Sequence, residues 1–380
     1  MNLTSKLPNV GTTIFTVMSS LARQHNAINL SQGFPNFQTD AKLSELVSKA
    51  MNQGHNQYAP MMGNPSLREA IANKFQAIYK SSYNPNNEIV VTAGATQAIF
   101  TAISAFIGKG DEVILFKPAY DCYEPAIELH EGKVIPIQLK HPNYQVDWKE
   151  VEEKINSRTK MIVVNTPQNP CATIFSKGDM LELQRITNNT NIIVLSDEVY
   201  EHIIFDGKEH QSACLFPELK KRSFITASFG KTFHTTGWKV GYCCGPKELM
   251  DEFVKVHQFN VFSVNHPVQI ALATYLKEEE NYLQLPSFFQ QKRDVFLEAI
   301  SGSRFTFIPS QATYFQVLNY SEISEENDID FAKRLTKEFQ IASIPLSVFN
   351  QDQLDFKSLR FCFAKEEKTL LQAAEILNKI

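Results

Sequence analysis

The sequence predicts an α/β fold: a mostly parallel sheet flanked by helices, with a smaller α+β domain attached. Three observations predict it. Between about residues 88 and 245, short β-rich runs alternate with amphipathic stretches. Those runs are apolar at consecutive positions, as strands buried on both faces are. The last third of the chain then changes character, with long helical stretches leading into isolated strand-like segments. At 380 residues two domains are the natural expectation, because single cores stop growing at roughly 250–300 residues.

Taken in order, the strand candidates are 89–92, 113–116, 161–164, 192–195 and 224–227. Each is dominated by Ile, Val, Leu or Phe, the residues that fit a pleated, covered surface. Between the first two, Ile99, Ile103, Phe106 and Ile107 recur at helical spacing. Farther on, helices near 268–300 precede the strand-like 313–318, a further helix and 358–363. A large domain over residues 41–275 and a small one over 276–380 follow from this change of pattern.

Composition excludes several classes of function. Hydrophobic residues make up 43% and charged residues 21%, and the formal net charge is -4 with both signs interspersed. That is no electrostatic footprint for nucleic acid or an anionic membrane. No apolar run approaches the roughly 20 residues that a membrane span needs. The first residues hold no apolar signal core, and the six cysteines form no CxxC pair, so reduced thiols in a cytoplasmic protein are expected. The nine histidines show no metal-ligand spacing, so no metal is expected. Gly108-Lys109-Gly110 lacks the third glycine of a dinucleotide fingerprint.

The chemistry concentrates where strands end. In an open parallel sheet, ligands bind beyond the carboxyl ends of the strands. Asn169-Pro170 follows the third candidate strand, Asp197 the fourth, and Ser228-Phe229-Gly230-Lys231-Thr232 the fifth. Gly94-Ala95-Thr96 follows the first and opens a helix, whose free N–H groups and dipole suit a phosphate. Lys231 stands beside hydroxyls, with a second cation, Lys239, close behind in a glycine-punctuated stretch. A lysine whose pKa is depressed by cations or desolvation is suited to forming a Schiff base. The set reads as a site for pyridoxal 5'-phosphate, which also needs a carboxylate at its ring nitrogen, donors for its phenolic oxygen, an aromatic cover and a phosphate anchor. Lys231, Asp197, the pair Asn169 and Tyr200, Tyr120, and the group Ala95, Thr96, Ser228 and Lys239 supply those parts.

Ordered along the chain are Asn29-Leu30-Ser31-Gln32-Gly33-Phe34-Pro35, Asn56-Gln57-Tyr58-Ala59-Pro60, Val91-Thr92-Ala93-Gly94-Ala95-Thr96 and Tyr120-Asp121-Cys122-Tyr123-Glu124-Pro125. They continue in Asn165-Thr166-Pro167-Gln168-Asn169-Pro170, Ser196-Asp197-Glu198-Val199-Tyr200-Glu201-His202, the lysine motif, and Leu359-Arg360-Phe361-Cys362-Phe363-Ala364. On these residues the chain resembles the fold-type I, class I aminotransferases dependent on pyridoxal phosphate, over nearly its whole length. Within them it looks most like the methionine aminotransferase branch, close to the kynurenine/glutamine-phenylpyruvate transaminases.

The resemblance implies that Lys231 holds the cofactor as a Schiff base and, once displaced, shuttles a proton on the way to pyridoxamine phosphate. It implies Asp197 at the pyridine nitrogen, Tyr200 with Asn169 at the phenolic oxygen, and Tyr120 stacked on the ring. Ser228, Lys239 and the amides of Ala95 and Thr96 would bind the phosphate. Tyr58 would reach it from a neighbouring subunit, making the active unit a homodimer with a shared site. Arg360 would grip the substrate carboxylate as a bidentate fork, helped by Asn169 and the Gly33 backbone. Phe15 stands where relatives place a pocket aromatic, and residues 1–40 would pack with the small domain.

Two departures stand out. Many relatives read Asn-Pro-x-Gly where this chain has Asn169-Pro170-Cys171-Ala172, and many carry arginine where Lys239 stands. Arg360 itself falls in an alternating segment of edge-strand character, and His234 is a packing residue rather than a base.

No second arginine matches a dicarboxylate clamp. Ile14-Phe15, Phe34 and the run from Tyr58 to Met62 suit an apolar pocket, in which a flexible thioether packs well. Methionine is therefore the expected donor, with phenylalanine and other neutral or aromatic amino acids behind it and a 2-oxo acid as acceptor. A kynurenine/glutamine-type transaminase, or a cysteine-conjugate or cystathionine β-lyase, is the alternative on the same fold. A transcription regulator is disfavoured, because only about 30 residues precede Ser31-Gln32-Gly33 and they hold no basic recognition helix.

Overall fold

The computed structural model describes residue 1 and residues 3–380. Among the described residues twelve strands appear in chain order: β1 (Ile28–Asn29), β2 (Ile89–Thr92), β3 (Glu112–Lys117), β4 (Lys133–Gln138), β5 (Thr159–Asn165), β6 (Ile193–Asp197), β7 (Ser223–Ser228), β8 (Gly241–Cys244), β9 (Phe315–Asn319), β10 (Ile341–Ala342), β11 (Ile344–Pro345) and β12 (Ser358–Cys362). β2 to β8 form one seven-stranded sheet in the order β2-β8-β7-β6-β5-β3-β4. Only β8 runs antiparallel to its neighbours, β2 and β7; the remaining pairs are parallel. The mostly parallel sheet expected from the consecutive apolar runs is therefore present, with all five expected strands in it.

Two of its strands escape a periodicity argument. β4 lies at the sheet edge, is half-exposed, and contains Pro136. An edge is where a residue without an N–H is tolerated. β8 reads Gly-Tyr-Cys-Cys, with no β-branched residue, although every residue in it is buried.

β9, β11 and β12 make a three-stranded antiparallel sheet in the order β11-β12-β9. Here the edge-strand reading of Arg360 is corrected: β12 is the central strand and all five of its residues are buried. Alternation in Ser358-Leu359-Arg360 reflects polar side chains enclosed in the protein, not one face in water. β1 pairs in parallel with β10, Ile28 opposite Ile341, which ties the early chain to the C-terminal third.

A buried ionic group fastens the helix Pro65–Tyr79 against the seven-stranded sheet. Lys74 pairs with Glu201, both 4% exposed, while Tyr79 Oη donates to Glu201 Oε2 at 2.7 Å and Lys74 Nζ donates to Tyr242 Oη at 2.7 Å. Burial would raise the Glu201 carboxyl, but Lys74, His202 and these hydrogen bonds hold it below the ordinary range. Its contribution is thus full above the unfolded carboxylate pKa and fades as the pH falls below that range. Lys74→Met strands the carboxylate and is expected to cost about 3–5 kcal/mol. Urea denaturation at pH 7 measures this, and adding Glu201→Gln should recover most of the loss.

Candidate active site

Beyond the carboxyl ends of the parallel strands lies a cavity of about 150 Å³. Lys231, Asp197, Asn169, Tyr200, Tyr120, Ala95, Thr96, Ser228 and Lys239 all line it. The register explains the convergence: Asn165 pairs with Asp197 and Asp197 with Thr226, so the ends of β5, β6 and β7 lie side by side.

The end near β2 is built for an anion. Gly94 takes φ +77°, a backbone region that L side chains rarely adopt, and turns directly into the helix Ala95–Phe106. No side chain caps that helix, so its first N–H groups point out of the turn. Lys239 lies across Gly94; a Cβ placed there would be 3.5 Å from Lys239 Cδ. Gly241 is compelled as well, since a Cβ would meet the Ala227 carbonyl at 2.5 Å and the Ala95 nitrogen at 3.1 Å. Ser228, the last residue of β7, supplies a hydroxyl.

The opposite end is acidic. Asp197 is 4% exposed; its Oδ2 accepts from Tyr123 Oη at 2.6 Å and its Oδ1 from the Val199 N–H at 3.3 Å. Burial pushes the carboxyl up to about 6, against the pull of those two hydrogen bonds. Such an acid is poised for a cationic partner.

Lys231 lies between the two ends. Its Nζ donates to the Gly33 carbonyl at 3.1 Å and stands 5.8 Å from the ring centres of Tyr200 and of Tyr314. Burial is the main cause that lowers the ammonium to about 8; the nearby Cys362 opposes it, and Arg360 and Lys239 add to it. A substantial neutral fraction near neutral pH is what a nucleophilic amine needs.

Arg360 reaches the site from β12. Its guanidinium lies 3.9 Å from the centre of the Phe315 ring and 5.2 Å from that of Phe15. Nη1 donates to Asn169 Oδ1 at 2.7 Å and Nη2 to the Ser31 carbonyl at 2.9 Å, while Nε, though buried, has no partner. No carboxylate among the described residues forms an ion pair with it. A buried guanidinium held only by neutral acceptors is suited to receive an anion. Phe15 continues the wall toward Phe349 at 5.7 Å and Tyr120 at 6.4 Å.

Tyr58 stands apart. It is 81% exposed, its ring packs on Phe262, and within one chain it does not reach the cavity. Nor does the rest of its run, where the Met61 carbonyl accepts from His257 and the Met62 carbonyl from Val91. His234 packs among Phe37, Phe288 and Phe289, with burial lowering it to about 4, away from the cavity. The missing glycine after Asn169-Pro170 is met by Ala172 itself, which adopts φ +58° while Gln168 closes the turn on the N–H groups of Ala172 and Cys171.

Sequence reasoning missed Tyr123, Asn165, Phe315, Tyr314 and Phe349. Asn165 Oδ1 receives the Asn169 N–H at 2.9 Å, and Tyr314 Oη donates to the Gly33 carbonyl at 2.6 Å. Tyr123 and Asn165 lay inside quoted motifs; the other three read as ordinary core aromatics.

Pyridoxal 5'-phosphate fits this donor set. It is an anionic phosphate on a flat aromatic ring with a basic nitrogen, and the cavity offers Lys239 and an uncapped helix at one end, an aromatic wall, and a buried carboxylate at the other end.

The chain matches the family model "Aminotransferase class I and II" over residues 25–377. It is 48% identical to the methionine aminotransferase of Escherichia coli over 377 residues, covering 99% of this chain and 98% of that one. A crystal structure of an Escherichia coli protein identified as a methionine aminotransferase superposes over the whole of both chains with a TM-score of 0.97 and 48% identity. Human kynurenine–oxoglutarate transaminase 3 is 32% identical, over 98% of this chain and 89% of that one. The N-succinyldiaminopimelate aminotransferase of Mycobacterium tuberculosis superposes with a TM-score of 0.95 at 30% identity, over the whole of both chains. A sheet that gathers a lysine, a carboxylate and an anion cradle at its strand ends, with kinship over nearly every residue, leads to one conclusion: the chain belongs to the class I and II aminotransferases, enzymes that work with pyridoxal 5'-phosphate.

Proposed function

We propose that the protein moves the α-amino group of methionine, and less selectively of phenylalanine and other neutral or aromatic amino acids, to a 2-oxo acid. The observation that carries this reading is Arg360, a buried cation without an acidic partner, set next to Lys231's cavity and beside the aromatic wall of Phe15 and Phe349. One carboxylate is provided for; around it are apolar faces rather than a second cation. Similarity to the Escherichia coli methionine aminotransferase supports the same donor. An apolar pocket separates close analogues weakly, so a broad donor range is expected.

When bound, pyridoxal 5'-phosphate supplies an aldehyde that takes up the amino group and an electron-withdrawing ring that acidifies the substrate's α-hydrogen. Lys231 Nζ would hold the aldehyde carbon and later carry the proton away from the α-carbon. Asp197 would keep the ring nitrogen protonated. Asn169 and Tyr200 would hold the phenolic oxygen, Tyr120 would cover the ring, and Ala95, Thr96, Ser228 and Lys239 would bind the phosphate. Arg360, with Asn169 and the Gly33 backbone, would fix the substrate carboxylate, and Phe15 would meet its side chain.

A homodimer with a shared active site belongs to the proposal. Tyr58 and Phe262 are 81% and 43% exposed and their rings pack together, an aromatic patch that calls for a covering surface. Sedimentation at twice the 43.2 kDa chain mass tests this, and monomers at micromolar concentration would refute it. Residues 41–275 would form the large domain and residues 1–40 with 276–380 the small one, which the β1–β10 pairing supports. A cytoplasmic location is in keeping with six free cysteines and with no described helix long and apolar enough to cross a membrane.

The deciding experiment mixes the cofactor-loaded protein with methionine and no acceptor and records the cofactor absorbance. Conversion to the pyridoxamine 5'-phosphate spectrum is expected. No change with methionine but conversion with kynurenine or glutamine would overturn the donor assignment. Release of pyruvate and ammonia from β-substituted donors, without such conversion, would favour the lyase.

A further inference from the structure

Two donors meet on one backbone oxygen at Gly33. Its carbonyl accepts from Lys231 Nζ at 3.1 Å and from Tyr314 Oη at 2.6 Å. A carbonyl oxygen has two lone pairs, and these donors use both. No Cβ fits at this residue, since one would stand 2.8 Å from Phe315 Cζ and 3.8 Å from Tyr314 Cε2. The backbone is pressed onto those two rings at the start of β9. On either side, the Ser31 carbonyl accepts from Arg360 Nη2 at 2.9 Å and the Phe34 carbonyl from Lys365 Nζ at 2.8 Å. Of these three carbonyls, only that of Gly33 also accepts from an uncharged donor among the described residues.

The two donors differ in permanence. An amine that reacts must be able to leave the carbonyl. Tyr314 has no such freedom: it is fully buried, with its ring centre 5.7 Å from that of Phe289 and 4.9 Å from that of Phe315. Burial also pushes its phenol well above the ordinary range, so the hydroxyl stays a donor at any working pH. A carbonyl suits the amine better than an acid would. A neutral amine can give one N–H to it and keep its lone pair free, whereas a carboxylate in that place would favour the ammonium.

We infer that Tyr314 is a positioning residue for the reaction: its hydroxyl holds the Gly33 carbonyl in place as the docking point of the free Lys231 amine. The inference rests on the assignment of Lys231 as the amine that joins the cofactor. In that step the neutral Nζ adds to the aldehyde carbon, a C=N bond replaces the C=O bond, and two amine hydrogens leave with the oxygen as water. A docked amine starts from one orientation instead of many, and such placement supplies much of the rate of a condensation. Tyr314 also stands T-shaped against Tyr200, with ring centres 5.2 Å apart, so the docking point is packed against the residue proposed for the phenolic oxygen.

The test compares two ligands on the cofactor-free protein, parent and Tyr314→Phe. Pyridoxal 5'-phosphate can join Lys231; pyridoxamine 5'-phosphate carries an amine in place of the aldehyde and cannot. Stopped-flow absorbance follows the joining of the first at saturation, and calorimetry gives Kd for the second. Tyr314→Phe removes one oxygen from a packed ring and leaves the Gly33 carbonyl its bond from Lys231, so the cradle should be intact. Joining should slow by about tenfold or more, while Kd for pyridoxamine 5'-phosphate stays within about twofold of the parent value. Joining within about twofold of the parent overturns the inference, and so does an equal loss with both ligands, which would make Tyr314 a support of the fold alone. Lys231→Ala separates this from the reading beneath it. If Lys231→Ala joins the aldehyde as the parent does, the assignment of Lys231 fails. If it does not join while Tyr314→Phe joins normally, that assignment stands and only the role of Tyr314 falls.

Discussion

Lys231→Ala is expected to abolish amino transfer, lowering kcat by at least about 10⁴, or some 5.5 kcal/mol of transition-state stabilisation. No other amine can substitute. Lys239, the other lysine in the cavity wall, lies over Gly94 at the anion end. Lys231→Arg is the sharper control, because it keeps a cation at the same place but cannot give up a proton at working pH. It should be as inactive as the alanine variant; activity in Lys231→Arg would mean that Lys231 serves only as a charge. Both variants should still take up pyridoxal 5'-phosphate, since the cradle at Gly94, Ser228 and Lys239 does not depend on Lys231, yet lose it on dialysis and show the spectrum of the free aldehyde. In the proposed role of Lys231 the reacting species would be the neutral amine, and burial sets its ionisation at about 8. Cofactor capture by the cofactor-free protein should therefore quicken as the pH rises through about 8. A profile rising only near the ordinary lysine value of 10.5 would show that Lys231 is solvated.

Asp197 and Lys231 were legible because a polar residue at the end of an apolar run is conspicuous, and buried parallel strands make such runs. The same logic is blind to β8, whose pairing with β7 sets Gly241 opposite Ser228. Gly-Tyr-Cys-Cys has no periodicity, and its burial comes from neighbours remote in sequence. β4 is hidden for the opposite reason: an edge strand with a proline looks like a loop until its partner is known. Arg360 was found as a residue but misplaced as an edge, because alternation along a strand says nothing about what covers its second face. Phe315 under the guanidinium and Phe349 behind Phe15 left no local signal, since core aromatics and pocket aromatics have the same composition and differ only in what they face. Tyr58 is the converse case. Its ring is exposed in a single chain, and the proposed role at the cofactor would need a second chain, which neither periodicity nor one chain supplies.

Asp197→Asn separates catalysis from folding, because its two expected effects have opposite signs. Asparagine keeps the shape and can still accept from Tyr123 Oη, but it brings no negative charge to the ring nitrogen. Removing one member of a buried charge pair costs about 3–5 kcal/mol, so kcat should fall by roughly 10²–10⁴. In the cofactor-free protein the carboxylate has no cation directly bonded to it, and burial raises it to about 6 from an ordinary 3.8. A carboxyl raised on folding penalises the fold wherever it is ionised. The penalty is absent below about pH 3.8, grows between 3.8 and 6, and is full above 6. At pH 7.5 cofactor-free Asp197→Asn should therefore be more stable than the parent, by up to about 3 kcal/mol in urea denaturation. At pH 3.5 the difference should vanish. Tyr123→Phe should act in the same pathway but more weakly, since it removes a 2.6 Å hydrogen bond to the carboxylate and leaves the charge in place. If Asp197→Asn were inactive and also less stable at pH 7.5, its lost activity would report damage to the fold, and the assignment of Asp197 to the ring nitrogen would lose its support.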